Sequence, residues 1–398
     1  MFKTIKNALK TPEVRKKLLY TLLLIVIFRL GCYITIPGVD SVTVSDQMKA
    51  ASNGVTGLID TISGGAFSRL SIFAMSITPY ITASIVIQLL GMVIPSLERL
   101  VKEGGEEGKT KVNKYTKILT VILALIEGLG VFFSYKSTGI FLDTGFLGGF
   151  LTVLSLMTGT ALLIWLGEQI TNKGIGNGIS MLIFVGIIAG LPKGITAVWK
   201  LIFVDGAFST VGLIKALAVV LGALVLVAGV IFVQLAERRI PVQYAKKVVG
   251  RRMVGAQNTN IPYKFSIASS YSNIGIGYTI ANAIVYLLLI LGFTYFYTYA
   301  MFNPAEISGN IKRNGGFIPG IRAGKPTTDY LSSVISKITL VGGLFLALIA
   351  ILPMLAKFTS LNIAFGGTSI LIVVGVALET IQQLESQLVT RHYKGFLE

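Results

Sequence analysis

Apolar residues run along this chain in long blocks, not at alternate positions, and short polar or basic stretches separate the blocks. Nearly charge-free runs lie near 18–36, 70–95, 118–134, 148–166, 179–196, 211–236, 276–301, 338–356 and 367–383. Each approaches the roughly 20 residues that a helix needs to cross a ~30 Å hydrocarbon layer. The pattern predicts nine spans. Lipid cannot satisfy exposed backbone groups, so open-ended spans are helical, and the ~10-residue alternation of a transmembrane barrel is absent. The predicted class is an all-α polytopic membrane helix bundle.

One block carries more detail than the rest. Residues 57–67, "GLIDTISGGAF", are small and apolar but too short to span. The next run is interrupted by Pro79 and flecked with Ser76, Thr78, Thr82 and Ser84. Ile77 and Ile81 stand four apart and share a helical face, beside a polar face of Thr78, Thr82 and Ser84. Such a pair faces lipid, a neighbouring helix or a pore, and periodicity does not choose among them.

Composition fits the membrane reading. Of 398 residues, 53% are hydrophobic and 13% charged, against about a quarter charged in ordinary soluble domains. Mean hydropathy is +0.76. The one cysteine, Cys32, and the one histidine, His392, exclude a disulfide framework and multi-Cys or multi-His metal sites. His392 lies near the C-terminus, outside every predicted span, which excludes Ser-His or Cys-His catalysis in the membrane. No cofactor, no metal and no enzymatic activity are expected. The first apolar run is too long for a signal peptide and no small-x-small cleavage site follows it, so it reads as a retained span. The stretch "EGGEEGKT" at 103–110 ends like a phosphate-binding loop. However, Glu103 stands where the pattern needs glycine and no strand precedes it.

Charge orders the loops. Placing the N-terminus, 96–117, 167–178, 237–264, 303–337 and the C-terminal tail on one side puts 27 of the 35 Lys and Arg there. That bias marks this side, with the N-terminus, as cytoplasmic. A conflict arises at 265–302, which holds one clear span although both flanking loops are basic. A single crossing leaves 21 cations inside and 12 outside.

The loop "AERRIPVQYAKKVVGRRMVGAQNTNIPYK" carries Arg238/Arg239, Lys246/Lys247 and Arg251/Arg252. Three pairs exceed what orientation needs and suit an anionic partner, either ribosomal RNA or an acidic protein face; anionic lipid is the simpler alternative. The loop "NPAEISGNIKRNGGFIPGIRAGKPT" has five Gly and three Pro in 25 residues. That density predicts a shaped loop presenting Arg322. Within the spans, Arg29 is expected to snorkel or pair, and Glu127 to face an aqueous seam or to serve an ion site.

Five stretches in order resemble the SecY family, the channel subunits of the bacterial general protein translocase. They are "LIDTISGGAFSRLSIFAMSITPYITASIVIQLL", "WLGEQITNKGIGNGIS", "AERRIPVQYAKKVVGRRM", "GGFIPGIRAGK" and "FGGTSILIVVGVALETIQQLESQLV". The resemblance implies two pseudo-symmetric halves, 1–205 with five helices and 206–398 with four or five. It implies a plug at 57–67 (Gly57, Ile59, Ile62, Gly64, Gly65, Phe67) and an apolar pore ring of Ile77, Ile81, Ile183 and Ile372. Thr82 and Glu127 then line a lateral gate for signal peptides, although an uncharged amide is usual where Glu127 stands. The basic pairs and Arg322 dock the SecA motor and the ribosome. SecE-like and SecG-like small subunits, unfolded preproteins and anionic lipids are the further partners, in a bacterial plasma membrane. The family's seventh helix, expected after "IPYK", is missing or reduced, since only "FSIASSYSNIGIG" precedes the next span. Two other functions stay open: a secondary transporter using Glu127, and an insertase-like or inactive relative lacking the gate helix.

Overall fold

The computed structural model describes residues 10–40, 43–44, 60, 62–102, 104–204, 207–244, 248–249, 252–253, 258–263, 279–358 and 367–394. By its internal contacts the chain groups into two compact units, Met1–Lys200 with Ile372–Glu398, and Leu201–Leu371. Among the described residues, six helices are long and apolar enough to cross a membrane, or seven if one sharply bent pair counts as a single span.

The first unit opens with α1 (Pro12–Gly31), whose Pro12 lacks only an N–H that a first turn leaves unpaired anyway. After a 3-10 turn at Phe67–Arg69 come α2 (Thr78–Val93) and α3 (Pro95–Lys102). They are followed by α4 (Gly105–Tyr135), α5 (Phe146–Lys173), α6 (Gly178–Ile188) and α7 (Leu191–Ile202). Helix α5 packs against α1, α4 and α6, and α4 also packs against α2 and α3. Small residues set these distances. A Cβ on Gly178 would lie 1.9 Å from the Gly167 carbonyl oxygen, so α5 and α6 meet backbone to backbone. One on Gly108 would lie 2.1 Å from the Leu100 carbonyl oxygen, which gives the glycines of "EGGEEGKT" a packing role at the α3–α4 turn.

Several predicted boundaries move. The run 70–95 is not one helix. Leu70 and Ser76 take left-handed backbone angles (φ 43° and 52°), residues 71–77 fold as successive tight turns, and α2 starts at Thr78. Pro79 therefore begins the helix instead of interrupting it, because the missing N–H is harmless in a first turn. At the other end Pro95 starts a new helix and the axis bends by 108°. The run 179–196 divides into α6, of 11 residues, and α7. Helix α4 begins well ahead of the predicted span, as an exposed turn in which Lys109 and Lys111 hydrogen-bond Glu106 and Glu107. Those bonds hold both carboxyls below the usual carboxylate range.

The second unit begins at the end of α7, where β1 (Phe203–Val204) and β2 (Ala207–Phe208) pair before α8 (Thr210–Leu235). A sheet follows, made of β3 (Arg238–Tyr244) paired antiparallel with β6 (Asn258–Tyr263) on one edge and β7 (Gly316–Phe317) on the other. A hairpin of β4 (Val248–Val249) and β5 (Arg252–Met253) lies between β3 and β6 in sequence. Helices α9 (Thr279–Met301), α10 (Pro304–Arg313) and α11 (Lys325–Phe358) complete it, with α11 packed on α9 and α10. The predicted loop 303–337 thus holds a short helix, a strand and the first turns of α11. Helix α12 (Gly367–Lys394) closes the chain. Residues 265–277, "FSIASSYSNIGIG", where the family's seventh helix is read as missing or reduced, lie outside the described residues.

Candidate functional site

The apolar positions of α1, α2, α5 and α6 converge on one core in the first unit. Leu24, Phe28, Cys32, Ala66, Phe73, Ile77, Leu163, Leu166, Ile170 and Leu182 form it, and Ile81, Ile179 and Ile183 pack against it. Three of the four expected ring residues are therefore brought together: Ile77 at the start of α2 and Ile81 within it meet Ile183 of α6, about a hundred residues on in sequence. Ile77 is only 1% exposed, while Ile81 and Ile183 are half-buried. Ile372, the fourth, is half-buried on α12 and is not among that core's residues.

The described part of the expected plug, residues 60 and 62–67, packs into the same region. Gly64 and Gly65 take left-handed angles (φ 67° and 85°) that a β-carbon disfavours. Their turn is tied internally: the Gly65 amide donates to the Asp60 carbonyl at 2.8 Å, and the Ser68 amide to Asp60 Oδ1 at 2.7 Å. Ser63 Oγ accepts from the Phe67 amide at 3.1 Å. Outside the turn, Arg29 Nη1 donates to the Gly64 carbonyl at 3.0 Å. Gly57 and Ile59 lie outside the described residues.

Helix α6 is positioned by its own start. The Asn177 side chain accepts from the Ile179 and Ser180 amides, capping the helix that carries Ile183. The turn before it is pinned to α1, where Thr21 Oγ1 accepts from the buried Ile175 amide at 3.1 Å. Of the two expected gate residues, Thr82 donates to the Thr78 carbonyl one turn back at 3.1 Å. Glu127 is half-buried on α4, the helix packed against α2. No metal-ligand cluster of three or more His, Cys, Asp or Glu occurs among the described residues.

The basic loops form a second candidate surface, in the second unit. Strand β7 pairs with β3 through Gln243 opposite Phe317 and Tyr244 opposite Gly316, so the loops 237–264 and 303–337 are hydrogen-bonded to each other. Paired strands lie on one side of a membrane. The pairing therefore supports the placement of 237–264 and 303–337 on a shared side over the single-crossing alternative. Beneath the sheet, Ile240, Val242, Ile311, Ile318, Leu331 and Ile335 make a compact core. Pro319 and Gly320 turn the chain, with the Ile321 amide donating to the Ile318 carbonyl at 3.0 Å and φ 81° at Gly320. Arg322 follows directly and is exposed. Its backbone is held by Thr327 Oγ1, which donates to the Arg322 carbonyl at 2.9 Å. Arg238 and Arg239 are exposed on β3, the latter paired with Glu237. Arg252 lies in β5. Lys246, Lys247 and Arg251 lie outside the described residues.

The sequence matches the SecY family over residues 71–381. The chain belongs to the SecY family. Protein translocase subunit SecY of Streptomyces coelicolor is 43% identical over the whole of both chains. SecY of Bacillus subtilis is 40% identical, again over both whole chains, and SecY of Thermotoga maritima 42%, across 100% of this chain and 98% of that one. The alignment with the Streptomyces coelicolor protein runs over 442 positions against 398 residues here, so that relative has residues without a counterpart in this chain. Among solved structures, one titled "The structure of a protein conducting channel" superposes with a TM-score of 0.62 at 21% identity, over 97% of each chain. It shares the fold. This SecY-family chain is a multi-pass membrane protein and a channel subunit of the protein translocase. Neither the transporter reading nor the insertase-like or inactive one finds support in these relatives.

The Arg29 contact and the β3–β7 pairing were not legible in sequence. Arg29 read only as a cation that snorkels or pairs, and no local pattern announces a two-residue strand pairing between separate loops.

Proposed function

We propose that this SecY-family chain passes unfolded preproteins across a bacterial plasma membrane, with its N-terminus cytoplasmic and without any catalytic step of its own. The halves divide near residue 205. Residues 57–67 act as the plug, and Ile77, Ile81, Ile183 and Ile372 form the constriction. An apolar ring of this kind dewets and excludes ions, yet its side chains yield to a passing chain. Thr82 and Glu127 border the gate through which signal peptides and apolar segments leave for lipid. SecE-like and SecG-like subunits complete the complex. Arg322, with Arg238, Arg239, Lys246, Lys247, Arg251 and Arg252, receives the SecA motor or the ribosome, and the same cations attract anionic lipid. The residues by which the Streptomyces coelicolor relative exceeds this chain include, on this reading, its seventh helix.

The observation that carries this reading is the packing of Ile77, Ile81 and Ile183 on one apolar core that also takes in Ala66, inside the plug segment. The test is ATP- and motor-dependent import of an unfolded preprotein into vesicles holding the reconstituted complex. Import by the parent chain, with loss of at least tenfold on Arg322→Ala while the complex still assembles, is the expected result. Absence of import by the parent chain refutes the channel reading, and undiminished import by the variant refutes the docking role of Arg322.

A further inference from the structure

The described part of the plug segment meets a charge in the last turn of α1, the helix that carries the first span predicted from sequence. Arg29 stands in the last turn of α1, where a cation is costly unless it is partnered. Its Nη1 donates to the Gly64 carbonyl at 3.0 Å. The left-handed angle of Gly64 (φ 67°) sets the backbone there, and a Cβ on that residue would lie 2.6 Å from Arg29 Nη1 and 3.0 Å from Gly186 Cα. The opposite surface is equally close: a Cβ on Gly186, in α6, would lie 2.2 Å from the Ile62 carbonyl oxygen. The plug backbone is thus held between a guanidinium on α1 and a bare stretch of α6 backbone. Just past α1, Tyr33 lies between Arg29 and the residue that closes the 3-10 turn after the plug, with the Arg29 guanidinium 5.7 Å and the Arg69 guanidinium 4.3 Å from its ring centre. Cys32 is fully buried beneath, its Sγ 3.9 Å from the Ser63 carbonyl oxygen.

We infer that Arg29 and Gly186 form a latch that seats the plug, Arg29 by a charge-assisted hydrogen bond to Gly64 and Gly186 by leaving room for the plug backbone. The inference rests on the plug reading of 57–67 and adds to it the residues that hold the segment shut. Moving the segment breaks the Gly64 bond and leaves a cation at membrane depth until water reaches it. The seated state is therefore favoured while the channel is dry, and a hydrated pore weakens the latch. Because a hydrogen bond from a charged donor is worth about tenfold or more in an equilibrium, Arg29→Gln raises the unseated population by about that factor. Gly186→Ala, which forces the Ile62 carbonyl away, does the same by steric means.

The chain's single cysteine reports the result. The complex is reconstituted in vesicles, and alkylation of Cys32 by N-ethylmaleimide is timed alongside chloride leak. The controls are the parent chain and a variant lacking residues 60–67. The inference expects fast labelling and leak in the deletion variant. In Arg29→Gln and Gly186→Ala it expects labelling about tenfold faster than the parent, with Arg29→Lys in between. If the deletion variant labels and leaks while both substitutions behave like the parent, the latch is overturned and the plug stands. If the deletion variant does not leak, the plug reading falls and the latch with it.

Discussion

Thr21 offers a direct measure of what holds the ring-bearing helix α6 in place. It is 5% exposed on α1, donates to the Lys17 carbonyl at 2.9 Å and accepts from the Ile175 amide at 3.1 Å. Ile175 is 1% exposed, so water cannot replace the hydroxyl. Thr21→Val keeps the shape and removes the acceptor. The stranded N–H costs about 1–3 kcal/mol, and a methyl group held as close as that 3.1 Å contact adds some overpacking. Thr21→Ser keeps both hydrogen bonds and deletes one buried methyl, at about 0.5–1.5 kcal/mol. The Lys17 carbonyl loses little in either case, since it sits inside α1 and is bonded along the helix. The expected order of stability is parent, Ser, then Val. Membrane proteins often unfold irreversibly, so the assay is the half-life of folded complex at a fixed elevated temperature, read with a conformational probe. A Val variant that outlasts the Ser variant would show that packing, and not the hydroxyl, pins the α5–α6 turn to α1.

Two further expectations concern the turns and the loops. A Cβ on Gly159 would lie 1.8 Å from the Ile72 carbonyl oxygen, so Gly159→Ala forces apart α5 and the turns leading to Ile77; about 1–3 kcal/mol of stability and most import should be lost. Gly130→Ala, which meets nothing within 4 Å on α4, is the matched control, and helix propensity predicts unchanged or slightly raised stability, by up to ~1 kcal/mol. After Cys32→Ser, single Asn314→Cys and Gln243→Cys variants should both resist a membrane-impermeant maleimide in intact cells and both label on lysis. Labelling of one but not the other would contradict the β3–β7 pairing.

How far the sequence could be read depended on whether the deciding interaction was local. Long apolar runs suffice for α5, α8 and α9, because crossing hydrocarbon demands length and lack of charge and little else. Pro79 misled in a way that is physically simple: proline interrupts a helix interior but is at home in a first turn, and only the left-handed angles at Leu70 and Ser76 show which applies. The 108° bend at Pro95 was hidden for the complementary reason, since the apolar run ends there whether the chain turns or continues. The meeting of Ile77, Ile81 and Ile183 came from family resemblance, not from periodicity, because an i, i+4 apolar pair looks the same facing lipid, a neighbour or a pore. Arg29 shows the boundary most clearly. Its position made it expensive, and expense alone says that a partner exists without naming one. The partner is a backbone carbonyl at Gly64, which carries no side-chain signature at all. What could be read was the glycine pair beside it. Gly64 and Gly65 mark a backbone turned into a conformation other residues avoid, and a turned carbonyl is where a partner for a costly cation is to be sought.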